Sequence, residues 1–191
     1  MGFTRAELEA SRGRSVPDLL GSDLRLLFVG INPGLWTAAA QAHFAKRGNR
    51  FFPALHAAGL TDAVIDASAG FRAEDVDLLT GMGIGITNIV NRATARADEL
   101  SAEDLRQGGR ELEHKVAVLK PVVVVILGLT AYRIAFTRPR ASNGWQSETL
   151  GDARLMVAGN PSGLNAHQTV TSLGEMFREA AVAAGAPLID R

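Results

Sequence analysis

The chain has 191 residues, of which 47% are hydrophobic, and its 20 basic residues balance its 20 acidic ones. This length suits one domain with a substantial core, and this composition excludes a largely disordered chain. The absence of cysteine excludes disulfides, iron–sulfur clusters and thiolate zinc sites. We see neither a signal peptide nor an apolar run long enough to cross a membrane, and so we expect a cytoplasmic protein without membrane contact.

The apolar pattern predicts strands that alternate with helices. A capping box at Thr4 and a linker containing Pro17 predict an N-terminal arm over residues 1–22, followed by one domain over residues 23–191. Strands are predicted at 24–29, 86–90, 122–127 and 154–158, and helices at 51–58, within 70–79, between Ser101 and Pro121, at 130–136 and at 169–184. The polar segment 138–151 is typical of a loop or a hairpin. The order predicts a three-layer α/β/α sandwich with a mainly parallel, four-stranded sheet.

Two short loops follow predicted strands that lie far apart in the chain. Residues 30–34 are Gly-Ile-Asn-Pro-Gly, directly after the first strand, and residues 160–164 are Asn-Pro-Ser-Gly-Leu, after the last one. In an open parallel sheet, ligands bind in the crevice outside the carboxyl ends of the strands. We therefore expect both loops to face one cleft.

Each loop, taken alone, is also typical of an ordinary turn. The amide of Asn32 can orient a water molecule but cannot ionise, and Gly34 allows close approach of the backbone to a ligand. Leu164 is an apolar side chain in a polar loop, so it either folds back onto the core or acts as a wedge in a base stack. The joint occurrence of both loops in one domain favours function over chance.

The two loops closely resemble the signature loops of the mismatch-specific uracil-DNA glycosylases, which are relatives of thymine-DNA glycosylase. The resemblance extends over residues 24–184 and includes the segments 49–52, 85–92 and 108–110. It implies a monofunctional hydrolase of base excision repair. Such an enzyme flips uracil, or another damaged or mismatched pyrimidine, out of duplex DNA and leaves an abasic site.

The resemblance also implies roles for individual residues. Asn32 is expected to be the catalytic residue that directs water, while Ile31, Gly34 and Phe44 bind the base and the Phe44 ring stacks on it. The wedge and the contacts to the opposite strand are expected from Ser162, Gly163, Leu164 and Asn165. The first loop contains no carboxylate, which predicts a slow enzyme driven by binding.

Two features depart from the family's pattern. Asn165 and Ala166 stand where the best-known bacterial type has Ser and then Arg, which affects anchoring on the opposite strand and mismatch preference. Trp36 stands where the family often has small hydroxyl residues; its side chain is large enough to narrow the pocket or cover its mouth, and the sequence leaves its role open.

Zero net charge argues mildly against a nucleic-acid partner, although a local basic patch is sufficient for phosphate contacts. Lys46, Arg47 and Arg50 are the predicted phosphate contacts. The four histidines lack metal-ligand spacing and are interpreted as surface or packing residues, so we expect neither a metal nor a cofactor. The expected partner of this monomer is double-stranded DNA with uracil or a mismatch. The alternative is a nucleotide- or nucleobase-binding α/β module without catalysis.

Overall fold

The computed structural model describes residues 2–163 and 168–189. Within this part of the chain, one sheet contains five strands in the order β2-β1-β3-β5-β4. Their bounds are β1 Leu26–Gly30, β2 Ile84–Asn88, β3 Val123–Leu127, β4 Gly144–Leu150 and β5 Ala153–Ala158. Strands β1, β2, β3 and β5 pair in parallel, and only β4 is antiparallel to its neighbour. The predicted α/β fold with a mainly parallel sheet is confirmed.

The helices lie between the strands in sequence. They are α1 Arg5–Glu9, α2 Leu35–Ala40, α3 Phe51–Ala57, α4 Ala73–Gly81, α5 Ala102–Leu119, α6 Leu129–Ala135 and α7 Val170–Ala184, with a 3₁₀ turn at Ala97–Glu99. Capping boxes begin α1 at Thr4 and α5 at Ser101, where the hydroxyl accepts from the third backbone N–H of the helix. None of the described helices is long and apolar enough to cross a membrane.

The predicted number of four strands is wrong, because β4 lies in the segment that was predicted as a loop or hairpin. Strand β4 is at the edge of the sheet, and most of its residues are partly or fully exposed. Edge strands carry polar side chains, so the composition of β4 hides its structure. Its Trp145 packs against the core and lies under the guanidinium of Arg154, 4.1 Å from the ring centroid.

Two apolar layers cover the two faces of the sheet. Phe28 and Val125 belong to the layer that includes residues of α3 and α7, whereas Leu27 and Val124 belong to the layer that includes residues of α5 and α6. Every residue of β1, β2 and β3 is buried. Burial on both faces explains why β1 and β3 are continuous apolar runs rather than alternating ones.

Residues 13–19, which we call the strap, run from the N-terminal arm across the loop after β2. The backbone amide of Gly13 donates to the carbonyl of Ala93, and Leu19 exchanges two backbone hydrogen bonds with Ile86 of β2. The N-terminal segment is therefore tied to the sheet beside its carboxyl edge. The division of the chain into an arm and a domain at residue 23 stays a prediction.

Candidate active site

A cleft of about 650 Å³ opens at the carboxyl edge of the sheet. Residues at the ends of four strands, or just after them, line it, and these include Gly30, Ile31, Asn32, Asn88, Gly128, Asn160 and Ser162. The parallel arrangement of β1, β2, β3 and β5 places the ends of these strands at one edge. The structure thus brings the two sequence-predicted loops to a single cleft.

Asn32 is held by three hydrogen bonds from its side-chain nitrogen. Nδ2 donates to the carbonyl oxygen of Arg92 over 2.9 Å, to Oγ1 of Thr94 over 2.8 Å and to the carbonyl oxygen of Pro33 over 3.2 Å. Thr94 is itself fixed, because its hydroxyl donates to the carbonyl of Arg96 over 2.7 Å. With the amide nitrogen engaged, Oδ1 is the atom that Asn32 offers to a ligand. This oxygen can accept a hydrogen bond from water but cannot take up a proton at neutral pH.

Phe44 supplies a rigid aromatic surface. Its ring stacks on Phe51, with the centroids 4.0 Å apart and the planes inclined by 23°, and Phe44 also lines the cleft. Its φ of 55° lies in the left-handed region, which costs energy for a residue with a Cβ and persists only where the surrounding structure imposes it. Phe51 therefore holds the Phe44 ring in a fixed orientation at the wall of the cleft.

His43 and Asn88 form a buried polar pair that the sequence analysis missed, with only 2% and 7% of these residues exposed. His43 Nε2 lies 2.9 Å from the carbonyl oxygen of Pro17, and His43 Nδ1 lies 3.3 Å from Asn88 Nδ2. A carbonyl oxygen only accepts, so Nε2 carries the proton. Burial lowers the pKa of His43, which keeps the ring neutral, so Nδ1 accepts from the amide of Asn88.

This hydrogen-bond direction decides where the other end of the Asn88 amide lies. Oδ1 lies over Gly30, so close that a Cβ added there would be 2.5 Å from it and 3.3 Å from Cζ of Phe44. All three residues line the cleft. The sequence prediction placed Asn88 in the middle of a strand at 86–90, whereas the strand ends at Asn88, so its position at the carboxyl edge was not recognised.

The second loop is fixed by contacts with the segment before α3. The amide nitrogen of Ser162 donates to Oδ1 of Asn160 over 2.9 Å, which closes a local turn. The backbone nitrogen of Arg50 donates to the carbonyl of Pro161, and its Nη1 donates to the carbonyl of Ser162, both over 2.9 Å. A Cβ on Gly163 would be 2.8 Å from the carbonyl oxygen of Gly48, so the close approach of the two segments requires glycine.

A family model of the Uracil DNA glycosylase superfamily matches residues 17–183. The chain belongs to this superfamily. The fold is also similar to the solution NMR structure of a protein from Methanosarcina acetivorans described as a "putative Uracil DNA glycosylase". The TM-score is 0.58 at 16% identity, and the match covers 88% of this chain and 98% of the other, so this likeness concerns the fold. Membership in the superfamily supports a role as a DNA glycosylase, a hydrolase of DNA repair.

The structure places the three predicted phosphate contacts in different surroundings; they are Lys46, Arg47 and Arg50. Lys46 is exposed and lines the cleft, whereas Arg47 is exposed and is not among the lining residues. Arg50 is half-buried, and its guanidinium donates to the second loop. The contacts that the structure shows for Arg50 are therefore with the protein itself, and the role of all three residues in phosphate binding stays a prediction.

Other sequence-predicted residues are also located. Ile31, Gly34 and Ser162 line the cleft, while Leu164 and Asn165 lie outside the described residues. Trp36 does not line the cleft: its Nε1 donates to the carbonyl of Ser68 over 2.9 Å, and its ring meets Phe3 edge-on at 5.2 Å. The sequence left the role of Trp36 open, and in the structure this ring contacts the N-terminal arm. Residues 2–163 and 168–189 include no group of His, Asp and Glu suited to a metal ion.

Proposed function

We propose that this protein is a monofunctional uracil-DNA glycosylase of the mismatch-specific type. It would remove uracil, or a related damaged or mismatched pyrimidine, from duplex DNA and leave an abasic site. The observation that carries the proposal is the convergence of Asn32, Phe44 and Asn88 on one cleft. These residues provide an amide oxygen for water, an aromatic face for a base and an amide oxygen for the base edge.

The cleft suits a base that has left the helical stack. An extruded base stacks on Phe44, a contact worth about 1–3 kcal/mol in comparable sites. The ring N3–H of uracil donates to Oδ1 of Asn88, and the backbone N–H groups of Ile31 and Phe44 are the expected donors to the base carbonyl oxygens. Neutral cytosine has no proton at N3, so it would present a lone pair to the same oxygen.

Hydrolysis of the glycosidic bond requires a nucleophile and a leaving group that accepts the electron pair of that bond. In this mechanism the bond between C1′ and N1 of the base breaks, its electron pair leaves with the base, and the sugar becomes oxocarbenium-like. Water held by Oδ1 of Asn32 then adds to C1′, and the proton that it loses passes to the departed base anion, which leaves as the neutral base. Backbone donors stabilise the leaving base anion as an oxyanion hole does. The reaction as written uses water and needs no cofactor or metal.

The carboxylate of Asp98 also lies at the cleft, but it is not suited to act as a strong general base. Its side chain is exposed and pairs with Arg96 over 2.7 Å, which lowers the pKa of Asp98. The absence of a carboxylate from residues 30–34 fits a mechanism in which departure of the base precedes attack by water.

The remaining parts of the proposal concern DNA. Leu164 is proposed to fill the gap left by the extruded nucleotide, with Asn165 beside it on the opposite strand. Lys46 and Arg47 are proposed to contact phosphates. The enzyme is proposed to act as a monomer on double-stranded DNA that contains uracil or a mismatch.

The decisive experiment incubates the protein with duplexes that carry uracil, thymine or ethenocytosine opposite each normal base, with a single-stranded control. A glycosylase generates alkali-labile abasic sites and releases free base. A base-binding module binds the base without generating such sites. If none of these substrates yields a free base, the proposal is contradicted.

A further inference from the structure

The strap lies behind the cleft and contacts His43 from the side opposite Asn88. The carbonyl oxygen of Pro17, in the strap, accepts from Nε2 of His43 over 2.9 Å. On the other side of the ring, Nδ1 faces the amide nitrogen of Asn88 at 3.3 Å. A continuous polar connection therefore runs from the N-terminal segment to the cleft.

The Pro17 carbonyl is held in place by its neighbours in the strap. The backbone N–H and C=O of Val16 both bond to the side chain of Asn91 over 2.9 Å. Asp18 accepts from the hydroxyl of Thr87 and from the ammonium of Lys115, each over 2.6 Å. Because both neighbours are anchored to the β2 region, the carbonyl between them has little freedom to move.

A side-chain amide has two orientations that differ in which end accepts and which donates. With the Pro17 carbonyl fixed, His43 must carry its proton on Nε2 and present a lone pair at Nδ1. An Asn88 amide turned the other way would place Oδ1 against that lone pair, and two acceptors would face each other in a buried site. Unpaired buried polar atoms cost about 1–3 kcal/mol each.

We propose that the strap, through the Pro17 carbonyl and His43, fixes the Asn88 amide with its oxygen toward the cleft and so selects bases that carry a ring N–H. This arrangement selects uracil over cytosine. The inference rests on the proposed function. His43 and the strap are positioning elements, since they act on the base edge through the Asn88 amide. The selectivity of the cleft is then set partly by the strap, whose residues are not among those that line the cleft.

The charges around His43 are consistent with a neutral ring. Burial is the main influence on the pKa of His43 and lowers it, and the positive charge of Lys115 acts in the same direction, whereas the hydrogen bond to Pro17 and the negative charge of Asp18 oppose it. Asp18 and Lys115 also form an ion pair with each other. The desolvated ring is neutral at neutral pH, as the proposed hydrogen-bond direction requires.

The first test measures the tautomer of His43 in the unaltered protein by ¹⁵N NMR of the imidazole nitrogens at pH 7.5. The proposal requires a protonated Nε2 and an unprotonated Nδ1. A protonated Nδ1 overturns it, because Asn88 would then have to present its amide nitrogen to the cleft. Since this measurement needs no variant, misfolding of a mutant cannot leave the proposal undecided.

The second test measures dissociation constants of free uracil and free cytosine by NMR titration of the wild type, H43L and H56L. His56 is the matched control, because its Nδ1 also bonds to a backbone carbonyl, that of Thr61, over 3.0 Å, but it does not line the cleft. We expect the preference for uracil to fall roughly tenfold in H43L, as the loss of one oriented buried hydrogen bond implies, and to persist in H56L. An unchanged preference in folded H43L overturns the proposal.

These tests separate the inference from the proposed function. A wild-type protein that prefers free uracil and has the required tautomer, but releases no base from DNA, contradicts the glycosylase and retains the positioning role. A wild-type protein that releases uracil but binds both free bases equally, or binds neither, overturns the positioning role and retains the glycosylase.

Discussion

Arg50 and Ser162 join the two loops that form the cleft: Nη1 of Arg50 donates to the carbonyl oxygen of Ser162 over 2.9 Å, across 112 positions of sequence. The backbone of Arg50 makes a second contact, with Pro161. A residue with the sequence signature of a phosphate contact thus also sets the position of the loop that precedes Leu164.

We therefore expect R50A to slow base excision at saturating protein by about tenfold, because loss of one charge-assisted hydrogen bond costs about 1.5–3 kcal/mol. The salt dependence of DNA binding should change little. R47A is the comparison. Because Arg47 is exposed, its replacement should instead reduce the steepness of log affinity against log salt concentration by about one. Single-turnover rates and binding at several salt concentrations measure both effects. The reverse pattern would identify Arg50 as a phosphate contact.

Asn32 is expected to be indispensable. N32A removes the oxygen that orients water, so excision should fall by at least a hundredfold, the usual size of a general positioning or electrostatic contribution. T94V keeps Asn32 but removes one of the acceptors of Nδ2, and should cause a smaller loss. Circular dichroism and thermal unfolding verify the fold of each variant. Near-wild-type single-turnover excision by folded N32A would falsify its catalytic role.

Gly30 should be intolerant of even one methyl group. In G30A the new Cβ would lie 2.5 Å from Oδ1 of Asn88 and 3.3 Å from the Phe44 ring, so both base contacts must shift. We expect uracil affinity to fall at least tenfold, as each tenfold corresponds to about 1.4 kcal/mol. G81A is the control, because nothing lies within 4 Å of a Cβ there. Equal uracil affinity in G30A and the wild type would show that the cleft does not read the base through Asn88.

The role of Leu164, which lies outside the described residues, can be decided by comparing stability with activity in L164A. Replacing a core leucine by alanine lowers the free energy of unfolding by about 2–5 kcal/mol. The same replacement at an exposed wedge should lower it hardly at all. A wedge variant should excise uracil from a base pair more slowly while retaining its rate on single-stranded DNA, where little unstacking is needed. Thermal unfolding and single-turnover excision on both substrates provide the measurements. A large drop in melting temperature with equal rate loss on both would place Leu164 in the core.

Local sequence was sufficient to locate most of the sheet and the two loops of the cleft. Buried parallel strands are continuous apolar runs, so β1, β3 and β5 are visible without a structure. Parallel pairing then places their carboxyl ends at one edge, which brings the loop of Asn32 and the loop of Ser162 to a common cleft. Edge strand β4 was missed, because an exposed strand has the composition of a loop.

Tertiary structure alone decided which polar atoms face the cleft. The orientation of the Asn88 amide depends on His43, 45 positions away, and His43 depends on the carbonyl of Pro17, 26 positions away. Trp36 likewise packs against Phe3 instead of the cleft. Residue identity determines which hydrogen bonds a side chain can make, but the direction of a buried hydrogen bond is set by the partner that the fold supplies, and a local pattern contains no information about that partner.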